Sequence, residues 1–433
     1  MTQPTADHAE DGPPARVTLF AVLTVFLPFA GGYYMSYLYR VVGAVIADRL
    51  QRDVGLGAAD LGVLTSAYFI SFAAFQLPLG LLLDRYGARR VHGLLLLVAA
   101  LGALVFALGA SLWQLWLGRA LIGLGVSGGL MAALKAITQW FPERRWPLVN
   151  GLFLAMGGLG AMSATAPVAA LLAVTTWRGV FVGLAVATAV VALAVLAVVP
   201  EKPRRAPPAP MRAQIAGMRA IFADRFFWRL APAAFLTMAT SLAIQGLWAG
   251  PWLRDVAGLA QPAVADALFG MTAAMTVGFV FWGTLADRLE RAGVALTATF
   301  GAGILLFVVV LLAITFQVAT SLWPWLAFGL ISNVAALAYT VLSRHVPLVY
   351  AGRANTVLNL LVFAGAFAVQ AAIGAILDLW PEGPGGGYPP EAYTVAFGTF
   401  TAICLIAWGW YVLAARRVRL GDTRLEAPAV SRG

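Results

Sequence analysis

The chain has 433 residues, of which 61% are hydrophobic and only 11% are charged. A soluble domain carries about 25% charged residues, so this chain lacks the polar surface that water requires and is predicted to lie mainly in a lipid bilayer. The net charge of +10 would suit nucleic-acid binding in a soluble protein, but basic residues also collect in the cytoplasmic loops of membrane proteins, and we favour that explanation over a nucleic-acid partner.

Long apolar segments follow one another along the chain. They run for roughly 20 residues without the alternation of polar and apolar positions seen in membrane β-barrels, so each is predicted to be a transmembrane helix. The first tail, residues 1–16, is acidic and does not resemble a signal peptide. Twelve helices are predicted, at residues 17–47, 61–83, 91–111, 113–140, 148–174, 179–199, 229–253, 263–286, 293–316, 322–342, 354–379 and 392–414.

The longest polar stretch separates the sixth predicted helix from the seventh. It begins with the proline-rich run 200–210 and carries six basic residues, so it is predicted to be a cytoplasmic linker rather than a continuous helix. This divides the chain into a cytoplasmic N-terminal tail, a six-helix bundle, the linker, a second six-helix bundle and a cytoplasmic C-terminal tail, at residues 1–16, 17–200, 201–225, 226–415 and 416–433.

Basic residues are distributed unevenly between the two sides of the membrane. With the N-terminus inside, 22 of them lie in the inner loops, the linker and the tails, and four lie outside, namely Arg49, Arg52, Arg178 and Arg254. Since Lys and Arg collect on the cytoplasmic side, both termini are predicted to be cytoplasmic. The 27 arginines against 2 lysines are typical of a GC-rich bacterial genome, and we expect a bacterial inner membrane protein.

A short motif occurs twice, at the end of the second predicted helix and at the end of the eighth. In both copies a glycine precedes the Asp of an Asp-Arg pair by four residues. Two equivalent six-helix halves, related by an axis along the membrane normal, are therefore predicted. The motif residues are Gly80, Asp84, Arg85, Arg89 and Arg90 in the first copy and Gly283, Asp287 and Arg288 in the second.

The first copy resembles the Gly-x-x-x-Asp-Arg-x-Gly-x-Arg signature of the major facilitator superfamily. Arg119-x-x-x-Gly123 in the fourth helix and Trp177-Arg178 before the sixth are similar to other motifs of that family. The resemblance implies a secondary transporter that works by alternating access, not an enzyme, with no cofactor and with a monomer as a sufficient unit. It also implies that both motif copies form a conformational latch and that Arg119 and Gly123 serve coupling or packing. Simple topological anchoring by the arginines is the alternative.

Three basic residues lie within predicted helices, where each charge costs about 2.5–3.5 kcal/mol. They are Arg40 in the first helix and Arg119 and Lys135 in the fourth. All 19 acidic residues fall in tails, loops or helix ends, and the three histidines fall at helix edges or in the tail. A positive membrane interior favours an anion as the bound solute.

Arg40 shares a predicted helix face with Tyr33, Ser36 and Tyr37. Tyrosine hydroxyls beside a guanidinium suit a carboxylate or a phosphate, so Arg40, Tyr37 and Tyr33 are predicted to bind the solute. Lys135 is predicted to bind solute or to take part in coupling. The alternative for Arg40 and for Lys135 is that the side chain extends to the nearer membrane interface.

Neutral polar and aromatic side chains form stripes on helices of the second half, and such stripes either line a cavity or hold helices together. Gln245, Trp248 and Asn359 are the favoured cavity residues. The stripes comprise Ser241, Gln245, Trp248 and Trp252 in the seventh helix, Asn333 and Tyr339 in the tenth, and Asn355, Asn359, Phe363 and Gln370 in the eleventh.

The stretch Tyr39-Arg40-Val-Val is similar to the first helix of sugar-phosphate and organophosphate antiporters, whose arginine binds phosphate. Those antiporters place a second arginine in the seventh helix, where this chain has no basic residue between Thr237 and Leu253. The resemblance therefore favours a small organic anion as solute but puts a phosphate clamp in doubt. A proton or a counter-anion is expected as coupling partner, and membrane lipid as the surrounding partner.

Other functions have less support in the sequence. Proton-driven efflux is the main alternative, although Ala166-Pro167 matches the Gly-Pro motif of such antiporters only in part. Nitrate carriers use arginines in the second and eighth helices, and neither predicted helix contains one. A membrane receptor would need an output domain, and a membrane enzyme would need a catalytic cluster. The single cysteine, Cys404, lies in the last helix, and no metal or cofactor site is predicted.

Overall fold

The computed structural model describes residues 19–142, 146–201, 218–318, 322–383 and 387–415. The predicted tails and most of the predicted linker lie outside these residues, and so does the side chain of Asp84. Within the described ranges all regular structure is helical, and twelve helices are long and apolar enough to cross a membrane. The prediction of an all-α membrane protein with twelve transmembrane helices is confirmed.

The first six helices follow one another with short connections, because glycines and polar residues interrupt the apolar runs. They are α1 (Leu19–Val54), α2 (Ala58–Tyr86), α3 (Ala88–Leu108), α4 (Leu112–Trp140), α5 (Trp146–Ser163, continued by Ala166–Val174) and α6 (Trp177–Val198).

The second six helices form the other half of the molecule. They are α7 (Arg225–Asp255), α8 (Gln261–Arg291), α9 (Leu296–Thr315), α10 (Trp323–His345), α11 (Leu348–Leu377) and α12 (Pro390–Ala414). Several helices begin before the predicted apolar span or end after it, because their polar ends continue the helix past the apolar run. The helix α8, for example, ends at Arg291 rather than near residue 286.

The same helix pairings recur in both halves. In the first half α1 packs on α5, α2 on α4 and α3 on α6, and in the second half α7 packs on α11, α8 on α10 and α9 on α12. Between the halves the contacts run from α2 to α11, from α5 to α8 and from α1 to α7. This repetition is the architecture that the duplicated motif predicts, with one internal surface where the halves meet.

Besides α5, which is interrupted between Ser163 and Ala166, four of the described helices are locally irregular. A π-helical turn occurs at Val22–Phe26 in α1 and another at Ile244–Trp248 in α7, a 3₁₀ turn occurs at Asn333–Ala336 in α10, and α4 is interrupted between Val126 and Gly129. Such irregular turns inside helices are frequent at functional sites. The last three lie beside the cavity described below.

Glycines allow the two halves to approach closely. A Cβ atom added at Gly43 of α1 would lie 2.9 Å from the carbonyl oxygen of Gly246 in α7. One added at Gly374 of α11 would lie 2.4 Å from the carbonyl oxygen of Ala58 at the start of α2. Since real Cβ atoms do not approach that closely, glycine is required at both positions for this packing of the halves.

Candidate functional site

A cavity of about 380 Å³ lies between the two halves. It is lined by α1, α2, α4 and α5 on one side and by α7, α8, α10 and α11 on the other. Its volume is in the range of small-molecule binding sites. Among the described residues that line it, Arg40 is the only one with a charged side chain.

The Arg40 side chain is surrounded by aromatic rings. Its relative exposure is 8%, and its Nε atom is buried with no hydrogen-bond partner in the described part of the chain. The guanidinium carbon lies 4.3 Å from the ring centre of Tyr37, 5.3 Å from that of Phe363 and 5.9 Å from that of Phe72. Ring faces attract a cation, but they do not supply the oxygen acceptor that the Nε donor needs.

Two tyrosine hydroxyls accompany Arg40 on the same face of α1. The hydroxyl of Tyr33 donates to that of Tyr37 at 3.3 Å, and both side chains line the cavity. The spacing of these residues is helical, so the continuous helix after Leu27 presents all three side chains on one side. The structure therefore places Arg40, Tyr37 and Tyr33 together, where a ligand could contact all three.

The opposite wall carries neutral amides. The Oδ1 atom of Asn359 accepts a hydrogen bond from the hydroxyl of Tyr339 at 3.0 Å, which leaves its NH₂ group as a donor. The NH₂ group of Asn355 donates to Ser343 at 2.9 Å, and its Oδ1 atom is buried without a partner in the described structure. Gln245 donates to the sulfur of Met275 at 2.8 Å, a weak acceptor. This wall can therefore donate and accept hydrogen bonds but carries no charge.

Three predicted residues lie elsewhere. Trp248 is buried and donates its indole N–H to the carbonyl of Gln370 at 3.1 Å, outside the cavity lining. Lys135 donates to the carbonyl of Leu83 at 2.9 Å and lines a separate cavity of about 530 Å³ at the predicted inner end of the first half. Arg119 is buried behind α1, where it donates to the carbonyl of Tyr39 at 3.1 Å.

Gly123, the other residue of the fourth-helix motif, has a packing role. A Cβ atom added there would lie 2.1 Å from the carbonyl oxygen of Tyr68, so α2 and α4 touch through this glycine. The ring centre of Tyr68 lies 5.8 Å from the guanidinium carbon of Arg119. The motif thus supports the packing of α4 against α2 and α1.

The first copy of the duplicated motif is held by contacts with α6 and with Glu201, which lies shortly after α6. Arg89 donates from Nε to the carbonyl of Leu196 at 2.8 Å, and Arg90 pairs with Glu201 at 2.9 Å. Arg85 is exposed and lies over the ring of Tyr86, and Gly80 is exposed on α2. The Asp84 carboxylate, predicted to belong to the latch, lies outside the described side chains.

The second copy is also exposed. Asp287 pairs with Arg291 on the same helix, and Arg288 faces solvent. A Cβ atom added at Gly283 would meet no atom within 4 Å, so this glycine does not mediate a close contact here. Among the described side chains of both copies, the polar contacts given above do not cross from one half to the other.

On the side predicted to be outer, by contrast, the ends of the two halves are joined by polar contacts, and this side is called the outer end below. Arg254 of α7 pairs with Asp48 of α1 at 2.7 Å. Asp378, which follows α11, accepts hydrogen bonds from the backbone N–H groups of Ala58 at 2.9 Å and Ala59 at 2.8 Å, at the first turn of α2. The sequence prediction missed these contacts, and the only signal for them was the presence of charged residues at outer helix ends.

Tyr388 supports the Asp378 contact. Its hydroxyl donates to Asp378 at 2.5 Å and accepts a hydrogen bond from the backbone N–H of Ala58 at 3.1 Å. Burial, together with the hydrogen bond to Asp378, raises the pKa of the Tyr388 phenol well above its ordinary value. The phenol therefore stays protonated and remains a donor to the carboxylate.

Comparison with known proteins identifies the family profile and the fold. The profile of the Major Facilitator Superfamily matches residues 29–370. The crystal structure of a bacterial homologue of the human lysosomal transporter Spinster, in an inward-facing and occupied conformation, superposes with a TM-score of 0.73 at 20% sequence identity. That superposition covers 93% of this chain and 98% of the other.

Curated relatives are similar over part of their length. The chain is 30% identical over 129 residues to the nitrate/nitrite transporter NrtP of Picosynechococcus. It is 32% identical over 140 residues to a quinolone resistance transporter of Acinetobacter baumannii. It is 31% identical over 173 residues to a probable L-galactonate transporter of Escherichia coli. These alignments span 30%, 32% and 40% of this chain and 24%, 32% and 37% of the relatives.

Proposed function

This chain belongs to the Major Facilitator Superfamily, and we propose that it is a transporter that carries a small organic anion by alternating access of its two six-helix halves. One observation carries the choice of an anion. The Nε atom of Arg40 is buried in the central cavity without a hydrogen-bond partner among the described residues. An anion would supply the acceptor that the aromatic rings cannot, and charge-assisted hydrogen bonds of this kind are short and strong.

A carboxylate fits this wall of the cavity better than a phosphate ester. One guanidinium can bind a carboxylate through two parallel hydrogen bonds, and the Tyr37 hydroxyl, which accepts from Tyr33, stands beside it as a further donor. A dianionic phosphate would leave one charge uncompensated in a cavity whose described lining has a single cation. We therefore assign Arg40, Tyr37 and Tyr33 to a carboxylate subsite.

The neutral wall supports a solute with hydroxyl or carbonyl groups away from its carboxylate. Asn359 offers a donor and Asn355 an acceptor, while Gln245 lines the same cavity. The similarity to a probable L-galactonate transporter agrees with a hydroxylated carboxylate as solute. The alternative of drug or metabolite efflux finds support in the similarity to a quinolone resistance transporter, and the experiment below distinguishes the two.

Alternating access is supported by where the halves touch. The Arg254–Asp48 and Asp378–α2 contacts join the outer ends, so this arrangement corresponds to an inward-facing state. Transport would require these contacts to open while the inner ends approach each other. We propose residues 17–200 and 226–415 as the moving bundles and the duplicated motif as the inner latch. The coupling partner would be a proton or a counter-anion.

The charge distribution supports the orientation of the chain. With 22 basic residues assigned to the inner side and four to the outer side, both termini would be cytoplasmic in a bacterial inner membrane. The monomer would suffice for transport, because the cavity is formed by the two halves of one chain.

The proposal is tested by a thermal-shift screen of the purified protein against gluconate, galacturonate, succinate, glucose 6-phosphate, nitrate and a quinolone. A ligand that binds only the folded state stabilises it by about 2.7 kcal/mol at 100 times its dissociation constant. We expect a hydroxylated monocarboxylate to stabilise the wild type. The Arg40→Ala variant should lose both that stabilisation and uptake into proteoliposomes, while it still inserts and folds.

Arg52→Ala is the matched control, because Arg52 lies on the same helix but its side chain is 69% exposed at the outer end. This control should keep the response to the carboxylate. Undiminished carboxylate uptake by Arg40→Ala would refute the anion site. Stabilisation by the quinolone alone would favour efflux instead.

A further inference from the structure

The contact between α2 and α11 has a regular register along the interface of the halves. Asp378 meets Ala58 at the outer end, Gln370 donates to the hydroxyl of Thr65 further in, and Phe363 stacks on Phe72 below that. Successive contacts are seven residues apart on α2 and seven or eight on α11, so they follow one face of each helix. The two helices are antiparallel, and these contacts follow one another from the outer end toward the cavity.

The Phe72–Phe363 pair is the innermost of these three contacts. Its ring centres are 4.0 Å apart, with an angle of 23° between the ring planes. One helical turn further in, Gln76 of α2 and Asn359 of α11 both line the cavity. The stacked pair therefore forms the outer boundary of the cavity, between the bound solute and the outer contacts.

Arg40 touches both rings of this boundary. Its guanidinium carbon is 5.3 Å from the ring centre of Phe363 and 5.9 Å from that of Phe72. Arg40 and Phe72 belong to the first half and Phe363 to the second, so the Arg40–Phe363 contact joins the group assigned to the solute with the opposite half. Outward opening must separate this contact, and without an anion the buried guanidinium would then lose part of the interaction that compensates its charge.

We propose that Phe363 is the positioning residue through which an anion at Arg40 controls opening of the outer side. In the empty cavity the ring of Phe363 is held between Arg40 and Phe72 and keeps the outer side closed. An anion paired with Arg40 compensates the guanidinium, so the contact with Phe363 is no longer needed and the halves can separate. A ligand shifts such an equilibrium only through different interactions in the two states, and this contact provides the difference. The inference rests on the proposed anion site.

The test measures outer opening directly. Spin labels at Val174→Cys of the first half and Ala260→Cys of the second, both exposed at the outer side, report the distance between the halves by pulsed electron resonance. The native Cys404 is buried and should remain unlabelled. Phe363→Leu removes the ring but keeps an apolar side chain, and without any anion we expect it to raise the outward-open fraction at least about fivefold.

Two matched variants separate this role from packing. Phe363→Tyr keeps the ring and should behave as the wild type. Phe69→Leu removes a ring whose centre lies 6.1 Å from that of Phe363 but which is not among the rings facing Arg40, so it should stay closed without anion. An unchanged distance distribution in Phe363→Leu would overturn the inference, and so would equal opening in Phe69→Leu.

Addition of D-galacturonate distinguishes this inference from the proposed function. The wild type should open on addition, while Phe363→Leu should already be open and change less than twofold. If galacturonate neither stabilises nor opens the wild type, galacturonate is not the solute, and the anion-free comparison of Phe363→Leu with Phe69→Leu still decides the role of Phe363. The wild type and Phe363→Leu could instead be equally closed without anion and open to the same degree with galacturonate. That result would contradict the role of Phe363 and leave the anion site intact.

Discussion

The outer and inner ends of the two halves differ in how they are joined. At the outer end an ion pair, a carboxylate on a helix N-terminus and the close contact of Gly374 with Ala58 cross from one half to the other. At the inner end, the described arginines of the duplicated motif bind a backbone carbonyl or an acid outside the opposite bundle. The described side chains of the motif with the strongest sequence signal thus make these polar contacts away from the opposite bundle, whereas residues outside any motif join the two halves.

This difference agrees with what the proposed alternating-access cycle requires of each end. The two ends cannot be open at the same time, and in a state whose cavity is open to one side the contacts at that end are broken. A motif that latches the inner end would have no partner across the halves in an inward-facing state. The outer contacts, in turn, should be the ones that determine how stable this state is, and substitutions there test the comparison.

The largest effect is expected from Gly374→Leu at the outer end. A Cβ atom at this position would lie 2.4 Å from the carbonyl oxygen of Ala58, so the side chain cannot be accommodated unless α11 and α2 separate. Overpacking costs about 3 kcal/mol at the upper end of its usual range, which is roughly a 100-fold shift toward the outward-open state. Spin-label distances between the outer ends measure the shift.

Gly183→Leu in α6 is the control for this substitution, because a Cβ atom there would meet no atom within 4 Å. It adds the same side chain to a transmembrane helix and should leave the distance unchanged. An outer distance in Gly374→Leu equal to that of the wild type would mean that the outer interface can repack without opening.

A smaller shift is expected from Asp378→Asn. The carboxylate accepts two backbone hydrogen bonds at the first turn of α2 and is favoured there by the positive end of the helix dipole. Loss of a capping interaction costs about 1 kcal/mol, or roughly fivefold in the closed-to-open equilibrium. Labelling of an outer cysteine by a membrane-impermeant maleimide should become faster by that factor. A rate that does not change would remove Asp378 from the closed-state contacts.

Arg254→Gln should have a similar or slightly smaller effect. Arg254 and Asp48 are each about one-fifth exposed, and partly solvated ion pairs contribute about 0.5–1 kcal/mol. The exchanged pair, Asp48→Arg with Arg254→Asp, should recover part of the closed state if the ion pair itself is responsible. A double variant no better than Arg254→Gln would assign the effect to the neighbouring contact between Arg254 and Asp255.

Much of this fold could be predicted from the sequence, because a transmembrane helix needs only a long apolar run and the twelve runs are clear. The same holds for the Arg40 wall, since α1 is a regular helix from Leu27 onward and its spacing places Tyr33, Tyr37 and Arg40 on one face. Both predictions depend on local pattern alone.

Trp248 was predicted to line the cavity but lies outside its described lining, because its helix α7 is irregular. The stripe from Ser241 to Trp252 assumed a constant helical period, but the π-helical turn Ile244–Trp248 changes the phase of α7 after Gln245. Gln245 therefore lines the cavity and Trp248 packs against α11. The pairing of Asp48 with Arg254, 206 residues away, depends on how the halves meet and leaves no local pattern to read.

The smallest effect on this state is expected from Asp84→Asn, and the comparison of the two ends gives the reason. If the duplicated motif closes the inner end only in the outward-facing state, the substitution destabilises a state that is absent here. The inward-facing population should then rise slightly, and solute affinity should stay within about twofold. Exchange across proteoliposomes should slow more than binding weakens, because each cycle passes through the state that the latch stabilises.

Asp287→Asn, at the equivalent position of the second half, separates the two motif copies: slower exchange in Asp84→Asn alone would assign the latch to the first copy. Lost binding with unchanged turnover would instead place Asp84 in the solute site and remove the basis for contrasting the inner and outer ends.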